Sequence, residues 1–173
     1  MGRAALVAGD WGTSHLRLTL CDATGSVLDT ASGPGASEAR GRFAEIFDSL
    51  IAGWTREHGE LRALLSGMVG SSFGWISAPY LPCPVSTDTL AGACAVLREG
   101  SVRIIPGVSC RNRLDAPDFM RGEETQILGA LQLNPSLRKG RHLLCLPGTH
   151  TKWVLIANGS LLDFITATTG ELF

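Results

Sequence analysis

The sequence lacks a charge excess of either sign and any long apolar run. Its 173 residues carry 15 Lys and Arg against 16 Asp and Glu, so the net charge is −1. Such a balance gives no global field that attracts nucleic acid or an acidic membrane surface. No stretch approaches the ~18 apolar residues that a membrane span needs. We therefore expect neither a nucleic acid nor a membrane as a partner.

The cysteines lack the C-x-x-C spacing of many metal sites. Their number is odd and they are scattered, which favours free thiols in a reducing cytosol over a disulfide set or a metal site. Hydrophobic residues make up 45% of the chain and charged residues 18%, a globular composition that can form a core. We expect a cytoplasmic protein with five thiols: Cys21, Cys83, Cys94, Cys110 and Cys145.

The first third of the chain has the clearest local patterns. Strands are predicted at 4–9, 15–21 and 26–31, and the turn Asp22-Ala23-Thr24-Gly25 makes the last two a hairpin. A helix is predicted from Phe43 to Trp54 because its apolar residues follow a 3.6-residue period, and Gly59 ends it. A short buried strand follows at 63–65.

The rest of the chain gives weaker patterns. The predicted elements are an irregular stretch at 76–86, a helix at 90–99, a strand at 102–105, a polar loop at 108–118, a helix at 122–133, a buried strand at 143–146, and a hairpin of 153–156 with 161–165.

Two segments resemble each other. Each has an apolar strand, a Gly-Thr pair (Gly12-Thr13 and Gly148-Thr149), a second apolar strand, and then Gly-Ser-x-Leu-Asp at 25–29 and 159–163. Generic hairpins explain the strands, but they do not explain why a Gly-Thr pair begins each hairpin. The pattern predicts an internal duplication.

A glycine turn that leaves a strand brings backbone amides close to an anion, and neighbouring hydroxyls add donors. Asp10, at the end of the first strand, is suited to hold Mg²⁺, which usually keeps its waters and takes few protein ligands. The alternative is that both glycines only make turns and that Asp10 only caps a loop. As a pair, the two turns favour phosphate binding.

The residues D-W-G-T-S-H-L-R and L-P-G-T-H-T-K-W-V resemble the two phosphate motifs of the superfamily of sugar kinases, Hsp70 and actin. The blocks L-S-G-M-V-G-S-S-F-G-W, M-R-G-E-E-T-Q-I-L-G-A-L, L-C-L-P-G-T-H-T-K-W-V and T-G-E-L-F together resemble 2-dehydro-3-deoxygalactonokinases. The resemblance spans nearly all of the chain, and the four blocks in this order are highly specific.

The resemblance implies an α/β, ribonuclease H-like fold, with a mixed β-sheet and flanking helices. It places the N-terminal lobe with its substrate pocket at 1–133 and the first, incomplete part of a second lobe at 134–173. The implied reaction moves the γ-phosphoryl group of ATP, with Mg²⁺, to the 6-hydroxyl of 2-dehydro-3-deoxy-D-galactonate. Such a transfer needs positioning, charge neutralisation and a base.

The resemblance also implies roles for individual residues. Asp10 would hold Mg²⁺ through water. Lys152 would add positive charge at the phosphates or be a solvated strand residue, and Arg17 would reach phosphate or substrate or form a salt bridge. The phosphate contacts would be Gly12, Thr13, Ser14, Gly148, Thr149 and His150.

The base is expected at the helix start Gly122-Glu123-Glu124-Thr125, where related sugar kinases have Asp after a Gly. A helix N-terminus stabilises a carboxylate as the anion, which provides an ionised but weaker base. Glu123 is favoured and Glu124 is the alternative.

The loop Gly67–Trp75 resembles the one that lines the sugar pocket in such kinases. Gly70 would allow close backbone approach, Ser71 and Ser72 would donate hydrogen bonds, and Trp75 would form a wall or belong to the core. The substrate carboxylate needs a cation, ideally a bidentate arginine. Arg121 is the first candidate, ahead of Arg111 and Arg113.

Family members continue well beyond Phe173, so we expect the isolated chain to have negligible kinase activity. Two alternatives stay open. One is a kinase of the same superfamily for another sugar or sugar acid. The other is a non-catalytic fragment that binds a sugar acid or forms a homodimer through exposed strands near residue 165.

Overall fold

The structure is a computed structural model that describes residues 3–172; Phe173, the last residue of the T-G-E-L-F stretch, lies outside them. The chain divides into two compact units. The first is Met1–Pro79 with Cys94–Pro106, and the second is Tyr80–Ala93 with Gly107–Phe173. This division reflects compactness and does not test the lobe boundary at 133/134, which stays a prediction.

The first unit contains a six-stranded mixed sheet. The strands are β1 Ala4–Trp11, β2 His15–Asp22, β3 Val27–Pro34, β4 Arg62–Gly67, β6 Ala95–Leu97 and β7 Val102–Ile104. Their order in the sheet is β3-β2-β1-β4-β7-β6. The first three form an antiparallel meander, and β4 and β7 add in parallel beyond β1. The three predicted N-terminal strands and the strands at 63–65 and 102–105 are confirmed.

Side chains along a strand point alternately to the two faces of a sheet. Apolar residues at every second position therefore form one apolar face of this sheet. Leu16, Leu18 and Leu20 of β2 are buried and pair across the sheet with Trp11, Gly9 and Val7 of β1. Helix α1, Phe43–His58, contributes Phe43, Ile46, Phe47, Ile51 and Trp54 to the same core. The helix ends at Gly59, whose φ of 82° suits glycine. The periodicity thus predicted this helix correctly.

The second unit holds two three-stranded sheets. In the first, β5 Tyr80–Pro82, β8 Gly107–Arg111 and β9 Pro117–Met120 lie in that order. In the second, β10 Arg141–Leu146, β11 His150–Ala157 and β12 Ser160–Thr168 form an antiparallel meander. The helices are α2 Thr87–Gly92 and α3 Glu123–Leu133. The predicted helix at 122–133 and the hairpin near 153–165 are confirmed.

The predicted helix at 90–99 is wrong. Helix α2 ends at Gly92, and Ala95–Leu97 instead pairs with β7 in a tight hairpin. The turn takes Arg98, Glu99 and Gly100 through positive φ angles of 51°, 56° and 98°. A short apolar run does not distinguish strand from helix, and here strand pairing decides.

The predicted polar loop at 108–118 is also wrong, because β8 and β9 form a hairpin there. The alternation is inverted in β9: Asp118 is buried, whereas Phe119 is 52% exposed. The Asp118 carboxylate is stabilised inside by bonds from the Thr166 backbone (2.7 Å) and from Thr166 Oγ1. The hydropathy pattern of this segment therefore did not predict strand β9.

Two further expectations need correction. The stretch 76–86 contains the short strand β5. Strand β10 exists as predicted, but it is not buried: it lies at a sheet edge, and Leu143 is 64% exposed. Within residues 3–172, every helix falls short of the length and apolarity that crossing a bilayer requires.

Gly9 offers a direct test of the packing in the first unit. A Cβ there would overlap Leu65 Cδ2 and lie 2.9 Å from Leu18 Cδ2. Both leucines are buried, so G9A should lower the free energy of unfolding by ~1–3 kcal/mol. The control is G53A in α1, where a Cβ meets no atom within 4 Å; it should raise stability by ~0.5–1 kcal/mol. Urea melts that show G9A as stable as wild type would contradict this packing.

Candidate functional site

The first Gly-Thr pair occupies the turn between β1 and β2. The Gly12 amide donates to the His15 carbonyl at 2.9 Å. The chain that follows β3 then crosses the turn: the Ala36 amide donates to the Gly12 carbonyl (2.9 Å) and the Ser37 amide to the Thr13 carbonyl (3.1 Å). We call this segment, Gly35–Ser37, the first clamp.

The second Gly-Thr pair occupies the corresponding turn between β10 and β11. The chain that follows β12 crosses it in the same way. The Gly170 amide donates to the Gly148 carbonyl (3.3 Å), and the Glu171 amide donates to the Thr149 carbonyl (3.1 Å). We call Thr169–Glu171 the second clamp. Two three-stranded meanders with the same turn and the same clamp support the duplication that the sequence indicates.

The clamps orient the amides of the turns. In a trans peptide the C=O and N–H groups point in opposite directions. Because the Gly12 and Gly148 carbonyls are tied to the clamps, the Thr13 and Thr149 amides point away from them. Neither amide donates to an acceptor among residues 3–172. Unpaired, outward amides with exposed hydroxyls form a site suited to an anion.

Asp10 lies two residues before Gly12, opposite Arg17 in the β1–β2 register. Arg17 donates to the Asp10 carboxylate at 2.6 Å, and their side chains are 74% and 39% exposed. Such exposed pairs contribute little, so the pair can open at low cost. No cluster of three or more His, Cys, Asp or Glu suited to a metal occurs among the described residues. One accessible carboxylate fits Mg²⁺ that keeps most of its waters.

Lys152 is not solvated. Its ammonium donates to the Phe119 carbonyl and to Thr166 Oγ1, both at 2.7 Å, and the residue is 5% exposed. Thr166 in turn donates to the buried Asp118 carboxylate. To reach a phosphate, Lys152 would have to leave two good acceptors.

Helix α3 begins at Glu123, and the residue before it, Gly122, has a φ of 109° that suits glycine. The Glu123 carboxylate accepts from the Arg121 amide at 3.1 Å and is partly exposed. Glu124 is fully buried; its two oxygens lie 2.9 and 2.7 Å from the Gly122 amide, and one also accepts from Thr125 Oγ1. Burial raises the pKa of Glu124 to about 7, although the hydrogen bonds from Gly122 and Thr125 lower it. The two glutamates therefore have different environments.

The loop after β4 is tightly folded. Gly67 has a φ of 91°, and a Cβ at Gly74 would overlap the Val69 carbonyl. Gly70 is buried and accepts from the Ala78 amide at 2.9 Å. Ser71 Oγ is buried without a hydrogen-bond partner among the described residues, whereas Ser72 is exposed.

Trp75, at the end of this loop, packs among aromatic rings. Its ring centroid lies 5.5 Å from that of Phe47 and 6.5 Å from that of Trp11. The Arg98 guanidinium lies 5.0 Å from the Trp75 ring centroid. Trp75 is therefore part of the core edge, and its role as a pocket wall stays a prediction.

The three candidate arginines differ in their contacts. The Arg121 guanidinium lies over the Tyr80 ring, 4.3 Å from its centroid. Arg111 pairs with Asp115, and Arg113 lies 3.5 Å from the Asp163 carboxylate. The stacking on Tyr80 orients the planar Arg121 guanidinium group.

The sequence singles out the T-G-E-L-F stretch, which contains the second clamp, but it gave that stretch no role, and it did not indicate the first clamp. Thr169 Oγ1 lies 2.6 Å from Thr151 Oγ1 and donates to the Gly148 carbonyl at 3.3 Å. Glu171 Oε2 lies 2.8 Å from His150 Nε2. Gly35 is buried, and a Cβ there would overlap the Thr13 carbonyl. The two clamps share no sequence, so the repeat offered no signal for them.

The mixed sheet with its β1–β2–β3 meander and parallel β4 defines the N-terminal lobe of the ribonuclease H-like class, which actin-like ATPases share. Comparison with known proteins extends this result. The chain belongs to the 2-keto-3-deoxy-galactonokinase family, whose sequence profile matches residues 10–173.

Two curated proteins and one crystal structure are similar over almost the whole chain. The "Probable 2-dehydro-3-deoxygalactonokinase" of Rhizobium meliloti (strain 1021) is 39% identical, over 96% of this chain and 54% of its own length. The 2-dehydro-3-deoxygalactonokinase of Escherichia coli (strain K12) is 35% identical, over 98% of this chain and 55% of its own.

The similar solved structure is the crystal structure of "a putative 2-dehydro-3-deoxygalactonokinase protein from Sinorhizobium meliloti". It has a TM-score of 0.86 and 37% identity, over 96% of this chain and 55% of that one. The chain thus spans about half the length of the relatives that it matches.

The buried Glu124 predicts a pH dependence of stability. Its pKa rises from the ordinary value of 4.5 to about 7 in the folded state, so the folded protein binds this proton more tightly. The stabilisation is complete below pH ~4.5 and is lost as the pH rises through about 7. Relative to E124Q, wild type should lose on the order of 3 kcal/mol over this range.

Urea melts from pH 4.5 to 8 measure this difference, and E123Q is the matched control. Glu123 is partly exposed, and its charge contributes less than burial to the raised pKa of Glu124, so its variant should follow wild type closely. Parallel stability profiles for wild type and E124Q would show that Glu124 is not held as a buried acid.

Proposed function

We propose that this chain provides phosphate-binding and substrate-binding parts of an ATP-dependent kinase. The proposed reaction transfers the γ-phosphoryl group of ATP to the 6-hydroxyl of 2-dehydro-3-deoxy-D-galactonate. The observation that carries the proposal is the pair of clamped Gly-Thr turns, each with an unpaired outward amide. Family membership supports the substrate class.

Each turn is proposed as a contact for phosphoryl oxygens. Amides fixed before the ligand arrives stabilise its charge without reorganisation. Thr13 and Ser14 at the first turn, and Thr149 and His150 at the second, are exposed. Lys152 is left out of these contacts because it is buried against two acceptors. Gly12 and Gly148 complete the two turns.

Asp10 is the proposed holder of Mg²⁺, through water. When bound, the ion would neutralise charge on the phosphates. Arg17 occupies the Asp10 carboxylate in this structure, so it would have to move aside, toward phosphate or substrate. An accessible ion pair that opens at low cost supports this assignment.

Glu123 is the proposed base. A base must come within hydrogen-bond reach of the hydroxyl that it deprotonates. Glu123 is partly exposed, whereas Glu124 is fully buried with both oxygens directed at the Gly122 amide. Glu124 is therefore proposed to hold the start of α3 and so to position Glu123.

Arg121 is the proposed partner of the substrate carboxylate, since its guanidinium is stacked and planar. Ser72 is an exposed donor in the 67–75 loop, and Gly70 and Ser71 would shape the loop backbone. Trp75 would support the loop from the core side.

A second candidate is self-association, which the exposed apolar face of the β10–β12 sheet favours. Leu143 is 64% and Trp153 46% exposed there, and β10 and β12 are the outer strands of that sheet. A kinase for another sugar acid is the remaining alternative. We also propose a cytoplasmic location, which the five free thiols support.

Calorimetric titration of 2-dehydro-3-deoxy-D-galactonate into the chain, without nucleotide, tests the substrate assignment. Galactonate and glycerol serve as control ligands. We expect selective binding that R121K weakens at least ~10-fold, because lysine cannot bind a carboxylate bidentately. The matched control R111K should stay within about twofold of wild type.

Equal heats for the substrate and glycerol would contradict the substrate assignment. Equal losses in R121K and R111K would show that Arg121 is not the carboxylate partner.

A further inference from the structure

The two clamps hold their turns by different means. The first clamp is largely buried: Gly35 and Ala36 are inaccessible, and Gly35 presses against the turn. The second clamp is exposed at Thr169, Gly170 and Glu171. Water competes for exposed backbone bonds, and the Gly170–Gly148 bond of 3.3 Å is longer than usual. The second turn therefore needs additional support.

Side chains supply that support. Thr169 Oγ1 bonds to the Gly148 carbonyl and contacts Thr151 Oγ1, so it links the turn to the start of β11. Glu171 contacts His150 Nε2 at 2.8 Å while its own amide holds the Thr149 carbonyl. An ionised carboxylate only accepts hydrogen bonds, so His150 Nε2 carries the hydrogen. The imidazole is thereby fixed in orientation.

We propose that Thr169 and Glu171 are positioning residues for the Gly148–Thr149 turn, keeping its Thr149 amide directed outward for a phosphoryl group. The proposal rests on the proposed phosphate-binding function. The Thr169 hydroxyl supports the carbonyl opposite this amide. The Glu171 backbone amide holds the next carbonyl, and the Glu171 carboxylate holds the His150 ring. Neither residue needs to touch the anion.

The proposal predicts loss of anion affinity at one turn only. If a clamp side chain is removed, the Gly148–Thr149 turn keeps its backbone bonds from Gly170 and Glu171 but loses a side-chain support. The turn is then less well ordered, and its ordering costs part of the binding free energy. A net hydrogen bond of ordinary strength corresponds to about a tenfold change in affinity. The first turn has its own clamp and should not change.

Amide-resolved NMR titration with sodium tripolyphosphate at constant ionic strength tests this. In wild type, the Thr149 and Thr13 amide signals should both shift as the anion is added. T169V should raise the dissociation constant read at Thr149 about tenfold, because it removes a bond to the Gly148 carbonyl. E171A should raise it by a smaller factor, because it removes only the His150 contact. Both variants should leave the constant at Thr13 within about twofold. T169S, which keeps the hydroxyl, should behave as wild type does.

Unchanged Thr149 affinity in both T169V and E171A, with Thr13 still responding, would overturn the positioning roles and leave the phosphate assignment standing. No shift at either turn in wild type would overturn the phosphate assignment and the positioning roles with it. Glu171 is exposed beyond β12, so E171A removes no buried contact and tests the proposal even if T169V disturbs the β11–β12 pairing.

Discussion

The carbonyls of the two Gly-Thr turns are tied back by amides from the chain that follows each meander, and much of the candidate site depends on this. The bonds from Ala36 and Ser37 in the first unit, and from Gly170 and Glu171 in the second, fix the peptide planes of the turns. They also explain why glycine is needed at Gly35, where a side chain would collide with the turn. Outward amides follow from this constraint without any ligand.

The burial of polar groups is a second constraint on the structure, and it acts in the second unit. Asp118, Thr166 and Lys152 form an internal network whose charged groups have partners, as buried charges require. Glu124 meets the same requirement differently: burial raises its pKa to about 7. The network explains why Lys152, two residues after His150, does not extend into solvent, whereas Arg17 on β2 does. Two similar meanders thus place their basic side chains in different environments.

Elements with strong local periodicity could be predicted from the sequence. Helix α1 and the β1–β3 meander carry their apolar pattern within a few residues, so no tertiary information is needed. The β8–β9 hairpin could not be predicted, because Asp118 points inward and Phe119 outward, and only the contact with Thr166 explains that inversion. The hairpin at 95–104 could not be predicted for a related reason: its left-handed turn at Arg98 and Glu99 is set by strand pairing.

The candidate site also contains features that the local sequence predicts and features that only tertiary contacts determine. Glycine and hydroxyl residues in a strand-to-strand turn mark both anion turns in the sequence. The clamps are tertiary contacts from residues far along the chain, and the sequences of the two clamps differ. Glu123 and Glu124 are adjacent and chemically alike, and only their different burial separates a candidate base from a buried acid.

Residue-resolved amide hydrogen exchange on the ligand-free chain tests whether the clamps hold the two turns. The clamp amides of Ala36 and Ser37 should exchange at least ~100-fold more slowly than the turn amide of Thr13, because only the clamp amides are hydrogen-bonded. The Glu171 and Thr149 amides should differ in the same direction. Protected turn amides with freely exchanging clamp amides would show that the clamps do not hold the turns.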